Sequence, residues 1–114
     1  MNIIDQSKEQ FTMKELYDLT RTPAAMKLSD HVEETIEFDS WAVYEDVDSE
    51  GEIRLLLSIH TPEGETYTTN SATFIREFRS IVDLSRNLGE SFSRVTVMGG
   101  MSKAGRRFIT AVLA

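Results

Sequence analysis

A cluster of cations near the end of the chain is the feature whose residue types and spacing could do chemistry. Lys103, Arg106 and Arg107 lie within five residues, and residues 91–107 contain no Asp or Glu. Three glycines interrupt this stretch, and glycine lets a backbone turn tightly or approach a ligand closely. We therefore predict a mobile loop between two strands, the basic hairpin (residues 97–109), whose cations hold nucleic-acid phosphates. The alternative is an ordinary hairpin that carries solvated charges.

The charge of the chain is divided unevenly between its two parts. The formal net charge is −7. Residues 1–70 hold 5 Lys and Arg against 16 Asp and Glu, a net charge of −11, whereas residues 71–114 hold 7 against 3, a net charge of +4. An acidic body repels duplex DNA at long range and disfavours indiscriminate adhesion. It does not prevent a local basic groove.

The composition predicts one folded domain in a reducing compartment. The chain has 114 residues, 40% hydrophobic and 27% charged, which is enough apolar material for a single core. It contains no cysteine, so disulfides and thiolate metal sites are excluded. No window reaches the roughly 18 apolar residues of a membrane span, and the N-terminus lacks the cationic start of a signal peptide. We expect a cytoplasmic protein.

Recognisable catalytic constellations are absent from the sequence. The two histidines, His31 and His60, belong to no metalloprotease motif, and no nucleophile elbow occurs. The run Tyr44–Glu52 alternates carboxylates without the ligand spacing of an EF-hand, so a solvated hairpin tip is the better interpretation. The segment Gly99–Arg106 superficially resembles a phosphate loop, but a predicted strand rather than a helix follows it. We predict no enzyme, no cofactor and no metal site.

Hydrophobic periodicity predicts the order of the secondary-structure elements. Thr12 with Glu15 forms a capping box for a short helix over 12–19, and Thr22 with Pro23 favours a second helical turn. The remaining segments predict five strands, over 34–46, 52–61, 65–70, 91–100 and 106–114, with one helix over 70–89 between the third strand and the fourth.

This order of elements is that of the OB-fold, a five-stranded, partly open barrel with its helix between strands three and four. The alternative is a small antiparallel sheet with one helix packed across it. We predict a mainly β protein, in which residues 1–30 form a helical N-terminal segment and residues 31–114 form an OB-like domain that binds single-stranded nucleic acid.

A single-strand binder needs cations for the phosphates and aromatic faces on which bases stack. OB folds commonly use the outer face of strands two and three, which here carries Arg54 and Tyr67. Strict alternation puts Trp41 on the polar side of strand one, unless a bend near Ser40 turns it into the core. Tyr44 takes the opposite face, so we expect one of this pair to be exposed. The predicted nucleic-acid contacts are Trp41, Tyr44, Arg54, Tyr67, Phe92, Arg94, Lys103, Arg106 and Arg107.

The phenylalanines divide between core and surface. Phe74 and Phe78 recur at helical spacing, and we expect both in the core. Phe92 shares a predicted strand face with Arg94. It either forms a stacking pair with that arginine or packs at the rim of the core.

Four segments carry a resemblance to a known family: the hairpin "RLLLSIHTPEGETYTTNS", the helix "ATFIREFRSIVDL", the strand "SRVTVMGG" and the closing "SKAGRRFITAVL". Together they resemble the small single-stranded DNA-binding proteins of phages and mobile elements of Gram-positive bacteria. The resemblance covers a little over half of the chain. It implies an OB-like fold, no catalysis, and coating of transient single strands during phage DNA replication or plasmid transfer by conjugation.

The chain departs from that pattern at both ends. Cellular proteins of the same function carry an acidic C-terminal tail that recruits partners, whereas this chain ends in "ITAVLA", so we do not expect recruitment by that route. The N-terminal segment has no place in the family pattern and is a candidate for dimerisation into a homo-oligomer.

A function from another class also fits the sequence. An acidic protein-interaction module, or a DNA mimic, would use the carboxylates of residues 30–65 to occupy a basic partner. Within the leading interpretation, RNA remains an alternative to DNA because no feature reports on a 2′-hydroxyl.

Overall fold

The computed structural model describes residues 1–114. The protein is mainly β, with eight strands and two α helices. In chain order the elements are β1 (Asn2–Gln6), α1 (Met13–Thr20), β2 (Met26–Lys27), a 3-10 helix (Leu28–Asp30), β3 (Thr35–Glu37), β4 (Ser40–Val47), β5 (Ile53–His60), β6 (Thr66–Thr69), α2 (Ala72–Leu88), β7 (Arg94–Met101) and β8 (Arg107–Leu113). The predicted succession of strands and helix after residue 34 is confirmed, with the first predicted strand divided into β3 and β4.

The strands form two sheets. The five-stranded sheet has the order β1-β4-β5-β6-β2, and the three-stranded sheet has the order β3-β7-β8. All neighbouring strands are antiparallel except β2 and β6. No ladder joins β8 to β6 or β2, so the sheets do not close into a barrel. The five-stranded barrel expected from the sequence is not confirmed.

The break between β3 and β4, at Phe38 and Asp39, changes which face of the chain is buried. Phe38 and Trp41 belong to the same core cluster, although residues three apart point to opposite faces of a regular strand. Their shared burial therefore requires the bend predicted near Ser40. Beyond the bend, Tyr44 faces the other side of the sheet.

Helix α2 packs against β8 and β5 over the main core. Phe74 and Phe78 are fully buried, as predicted from their spacing. The hydroxyl of Ser71 caps the helix by accepting from the N–H of Phe74 (3.2 Å), and Gly89 ends it with φ 65°. Neither helix of the protein combines the length and apolarity needed to span a membrane.

Residues 1–30 add two strands, β1 and β2, to the five-stranded sheet and pack helix α1 against it. β1, which the sequence pattern did not predict, pairs antiparallel with β4. Around α1, Phe11 and Leu19 form a second core with Tyr44. The predicted capping box is confirmed, since Thr12 Oγ1 accepts from the N–H of Glu15 (3.2 Å) and Glu15 Oε1 accepts from the N–H of Thr12 (2.9 Å). Both faces of β4 are therefore buried, one by the main core and the other by the second core.

The predicted second helical turn after Thr22 is wrong. The N–H of Ala25 donates to the carbonyl of Thr22 (3.4 Å), which closes an isolated turn. The chain then continues as β2, which pairs in parallel with β6. Long-range hydrogen bonds to the edge of a sheet outweigh the weak helical preference of a few residues behind a proline.

Candidate nucleic-acid interface

The basic hairpin contains the tip of the β7–β8 pair. The strands stay paired up to Met101 opposite Arg107. Ser102 closes the turn, because its N–H donates to the carbonyl of Arg106 (2.8 Å) and its carbonyl accepts from the N–H of Gly105 (2.9 Å). Gly105 has φ 78°, in the left-handed region that glycine adopts without steric cost. Hydrogen bonds and one glycine thus set the shape of the tip.

The other two glycines of the hairpin lie close to neighbouring side chains. A Cβ on Gly99 would lie 3.0 Å from Cγ1 of Val32, and a Cβ on Gly100 would lie 2.5 Å from Cζ of Phe108. Backbone geometry at Gly105 and close side-chain packing at Gly99 and Gly100 therefore account for all three glycines. Contrary to the expectation from the sequence, they do not in themselves point to a ligand.

The three cations of the hairpin are exposed and have no acidic partner. The protein contains five ion pairs between Lys or Arg and a carboxylate and two histidine–carboxylate contacts, and none of them includes Lys103, Arg106 or Arg107. All three residues are exposed. An incoming anion would displace only water and mobile counterions from such groups. The hairpin is therefore a surface that can bind anions without breaking contacts of the fold.

An open cleft of about 940 Å³ lies between the basic hairpin and the start of α2. On β8, Arg107 shares a face of the sheet with Ile109, which is buried in the core two residues later. The inner face of the hairpin thus extends beyond the core. Residues 69–73 and Val32 also line the cleft, so a chain lying in it would contact both the hairpin and the helix start.

The start of α2 adds positive potential to the cleft. The first amides of a helix have no acceptor within it, and the helix dipole places partial positive charge there. The N–H groups of Ala72 and Thr73 have no partner in the protein, and the first turn contains no acidic residue. These amides lie on the same cleft as Arg107.

Phe108 is the exposed aromatic residue of the basic hairpin, and sequence reasoning missed it. It is 37% exposed, and its ring lies against Gly100 on the neighbouring strand. The alternation of β8 could have identified it, because Ile109 and Ala111 face inward and Phe108 therefore faces outward. Alternation places Phe108 and Arg107 on opposite faces of β8, but both residues line the open cleft. A strand in the cleft can therefore meet an aromatic ring and a cation, the combination that single-strand binding requires.

Trp41 and Tyr44 are both buried, so the prediction that one of them is exposed is wrong. Their exposed fractions are 5% and 3%. Trp41 packs edge to face against Phe78, with ring centroids 5.4 Å apart. The hydroxyl of Tyr44 forms a hydrogen bond with that of Ser58 (2.9 Å) on the opposite side of the sheet. Because residues 1–30 cover that second side, neither ring can stack on a base in this fold.

Tyr67 and Phe92 are likewise occupied by the fold. Tyr67 is buried and meets His31 edge to face, with centroids 4.9 Å apart; burial raises the pKa of its hydroxyl. Phe92 is partly buried and precedes β7 instead of lying on it. Its ring lies 5.4 Å from that of Phe38 and 5.7 Å from that of Phe78. Of the two interpretations of Phe92, the packed one is observed.

Arg54 and Arg94 are exposed but lie apart from the tip of the basic hairpin. Arg94 begins β7 opposite Glu37 of β3, and the strand from there to Met101 is about 23 Å long. Arg54 lies near the turn between β4 and β5, with its Nε 3.9 Å from Oδ2 of Asp48. The five predicted cations therefore do not form one surface.

Helix α1 covers the outer face of β5 and β6, where the stacking platform was predicted. Ser58 is fully buried there, and the hydroxyl of Thr66 donates to the carbonyl of Asp18 in α1 (2.6 Å). The cleft beside the basic hairpin is therefore the candidate interface that remains accessible.

Arg86 and Asp5 fasten residues 1–30 to α2. Two guanidinium nitrogens of Arg86 donate to the two carboxylate oxygens of Asp5, at 2.9 and 3.0 Å. These hydrogen bonds lower the pKa of Asp5 and raise the pKa of Arg86. The guanidinium also lies over the ring of Trp41, 5.9 Å from its centroid. Arg86 thus serves the fold and is not one of the cations free to bind a ligand.

Comparisons of this chain with protein-family models, with curated proteins and with solved structures found no match. Its functional interpretation rests on its own residues. The fold brings three unpaired cations, an open cleft and one exposed phenylalanine together at the basic hairpin, and it places the other predicted contacts elsewhere.

Proposed function

We propose that the protein binds single-stranded DNA at the basic hairpin, without sequence preference and without catalysis. Lys103, Arg106 and Arg107 contact phosphates, and Phe108 stacks on a base. The observation that carries this proposal is the group of three exposed cations without a carboxylate partner at one hairpin tip, where Arg107 and Phe108 also line an open cleft. RNA offers the same phosphates and base faces and is the competing ligand.

The distribution of charge favours a single strand over a duplex. Residues 1–70 carry a net charge of −11, which repels the wide, doubly charged surface of a duplex. A single strand is flexible enough to follow the narrow basic surface, and it exposes the base faces that stacking requires. The ligand therefore approaches the β7–β8 tip of the molecule.

The proposed fold is an OB-fold variant with its usual binding face covered. The order β4, β5, β6, α2, β7, β8 supports this, as does the bent first strand, β3 with β4, which contributes to both sheets. Residues 1–30 cover the outer face of β5 and β6, and the barrel is left open between β6 and β8. Binding is consequently displaced to the connection between the last two strands, one of the loops that OB folds use for ligands.

The cellular role that we propose is the coating of transient single strands in phage DNA replication or plasmid transfer. Coating requires contacts that tolerate any sequence. Phosphate contacts carry no sequence information, and every base presents a face for stacking, so the groups at the basic hairpin suit this role.

Titration of fluorescent oligo-dT across a salt series tests the proposal. For single strands, the logarithm of the binding constant falls against the logarithm of salt with a slope of about −0.7 per phosphate contact, so three contacts predict about −2. The variant K103A/R106A/R107A is expected to stay folded, because all three side chains are exposed. It should lose most of the affinity and most of the salt dependence.

A charge-matched variant, R21A/R54A/R94A, separates local contacts from net charge. It removes three exposed cations that lie away from the cleft and should keep the slope of the parent protein. Equal losses in the two triple variants would refute the site at the hairpin. A parent protein that binds no oligo-dT at low salt would refute the function itself.

A second candidate function is favoured by the tip of the β4–β5 hairpin. Val47 and Ile53 lie opposite each other and are 59% and 69% exposed. Around this apolar pair the hairpin carries the carboxylates Glu45, Asp46, Asp48, Glu50 and Glu52. Such a tip fits a basic partner protein, as in an interaction module or DNA mimic. A protein with only this function would ignore oligo-dT at every salt concentration.

A further inference from the structure

We infer that the bound strand continues from the cleft along α2, over Arg76 and Arg79, an extension that rests on the proposed function. Ala72, Arg76, Arg79 and Asp83 form a stripe on one side of α2, because residues spaced by three or four share a helix face. Ala72 lines the 940 Å³ cleft and also a second groove of about 450 Å³ that contains both arginines. The two concave surfaces therefore meet at Ala72.

The second groove has an apolar floor. β6 pairs with β5 only as far as Leu57 opposite Thr69, so the earlier residues of β5 have no strand beside them on that edge. Leu55 consequently lies in the groove, 37% exposed, with Ile75 of α2 beside it. Apolar surface next to cations suits the flat faces of bases, as Phe108 does at the hairpin.

The charges of this groove suit a backbone that arrives from the cleft. Arg76 and Arg79 lie about 6 Å and about 10 Å beyond Ala72 along the helix axis. Arg79 belongs to none of the ion pairs, and Arg76 pairs only with its neighbour Glu77, Nε to Oε1 3.2 Å, in an exposed contact of the kind that contributes little. Asp83 lies in the same groove, past both arginines, and marks where an anionic strand leaves the helix.

Two lengths of oligo-dT test this path, about 12 and about 4 nucleotides, within the range of site sizes of single-strand-binding OB folds. R76A/R79A should reduce the salt slope of the longer oligonucleotide by about 1.4, for two phosphate contacts. Binding of the shorter one should not change, with shifts of backbone amide resonances as the readout where affinity is low. Alanine favours helix, and circular dichroism checks that the fold is retained.

The charge-matched control R21A/R94A removes two exposed cations outside both grooves. If R76A/R79A behaves like this control with the longer oligonucleotide, or weakens both lengths equally, the path along α2 is refuted while the hairpin site stands. If the parent protein binds neither length, the proposed function fails, and the extension fails with it.

Discussion

Gly100→Ala is expected to stabilise the protein only in a variant in which Phe108 is also replaced by alanine. The φ of Gly100 lies outside the left-handed region, so alanine fits the backbone, and this exchange within a strand gains about 0.5–1 kcal/mol. In the parent protein the new Cβ would lie 2.5 Å from Cζ of Phe108 and 2.9 Å from Cε2. The ring must then swing away, which forfeits a cross-strand contact worth about 0.2–1 kcal/mol. Any remaining distortion of its rotamer adds about 0.5–1.5 kcal/mol.

Urea unfolding of the parent protein, G100A, F108A and G100A/F108A measures the free energy of unfolding of each. These four values give the coupling energy between the two positions. We expect about 1 kcal/mol, which such a cycle resolves. Gly99→Ala is the matched control, because its Cβ would meet Val32 instead of Phe108, and its effect should be the same in both backgrounds. If Gly100→Ala raises the free energy of unfolding equally in the parent protein and in F108A, the ring of Phe108 does not lie against Gly100 of β7. The proposed stacking of a base on that ring would then lose its structural basis.

Phe108→Ala is expected to weaken oligo-dT binding by about 5- to 150-fold, because stacking of one base on an aromatic ring is worth about 1–3 kcal/mol. Val112→Ala, an exposed position on the same face of β8, should leave the affinity unchanged; equal losses in the same titration would assign the effect to the fold. Hydrogen bonds from Lys8 and Thr12 lower the pKa of Glu15 from 4.5 to about 2, so its contribution to stability is complete above pH 4.5 and is lost as the pH falls toward 2. Glu15→Gln should therefore flatten the acid dependence of the unfolding free energy in that range, and an unchanged dependence would contradict this role.

Local signals predicted most of the secondary structure. The capping box at Thr12 and the cap and stop of α2 at Ser71 and Gly89 depend on residues a few positions apart, and so they can be read directly from the chain. Phe74 and Phe78 were placed in the core because the helical period alone decides which side of α2 is apolar. β1 was missed because a short terminal strand gains its stability from a partner about forty residues away.

The candidate site was predictable in its charges and not in its aromatic residues. Lys103, Arg106 and Arg107 lie at a hairpin tip, where long cationic side chains are exposed whatever packs below them. The predicted exposure of either Trp41 or Tyr44 assumed that one face of their strand is open to water. α1 and β1 remove that assumption, because they bury the second face.

By itself, the sequence determined the order of the elements after residue 34, the caps of α1 and α2, the buried side of α2 and the unequal distribution of charge. Only the tertiary structure decided that Trp41, Tyr44 and Tyr67 are buried, that Arg94 lies far from the hairpin tip, and that the cleft meets the groove along α2. The physical reason is that helix periods and turns arise from neighbours in the chain. Burial and the joining of two grooves depend on which distant segments pack together.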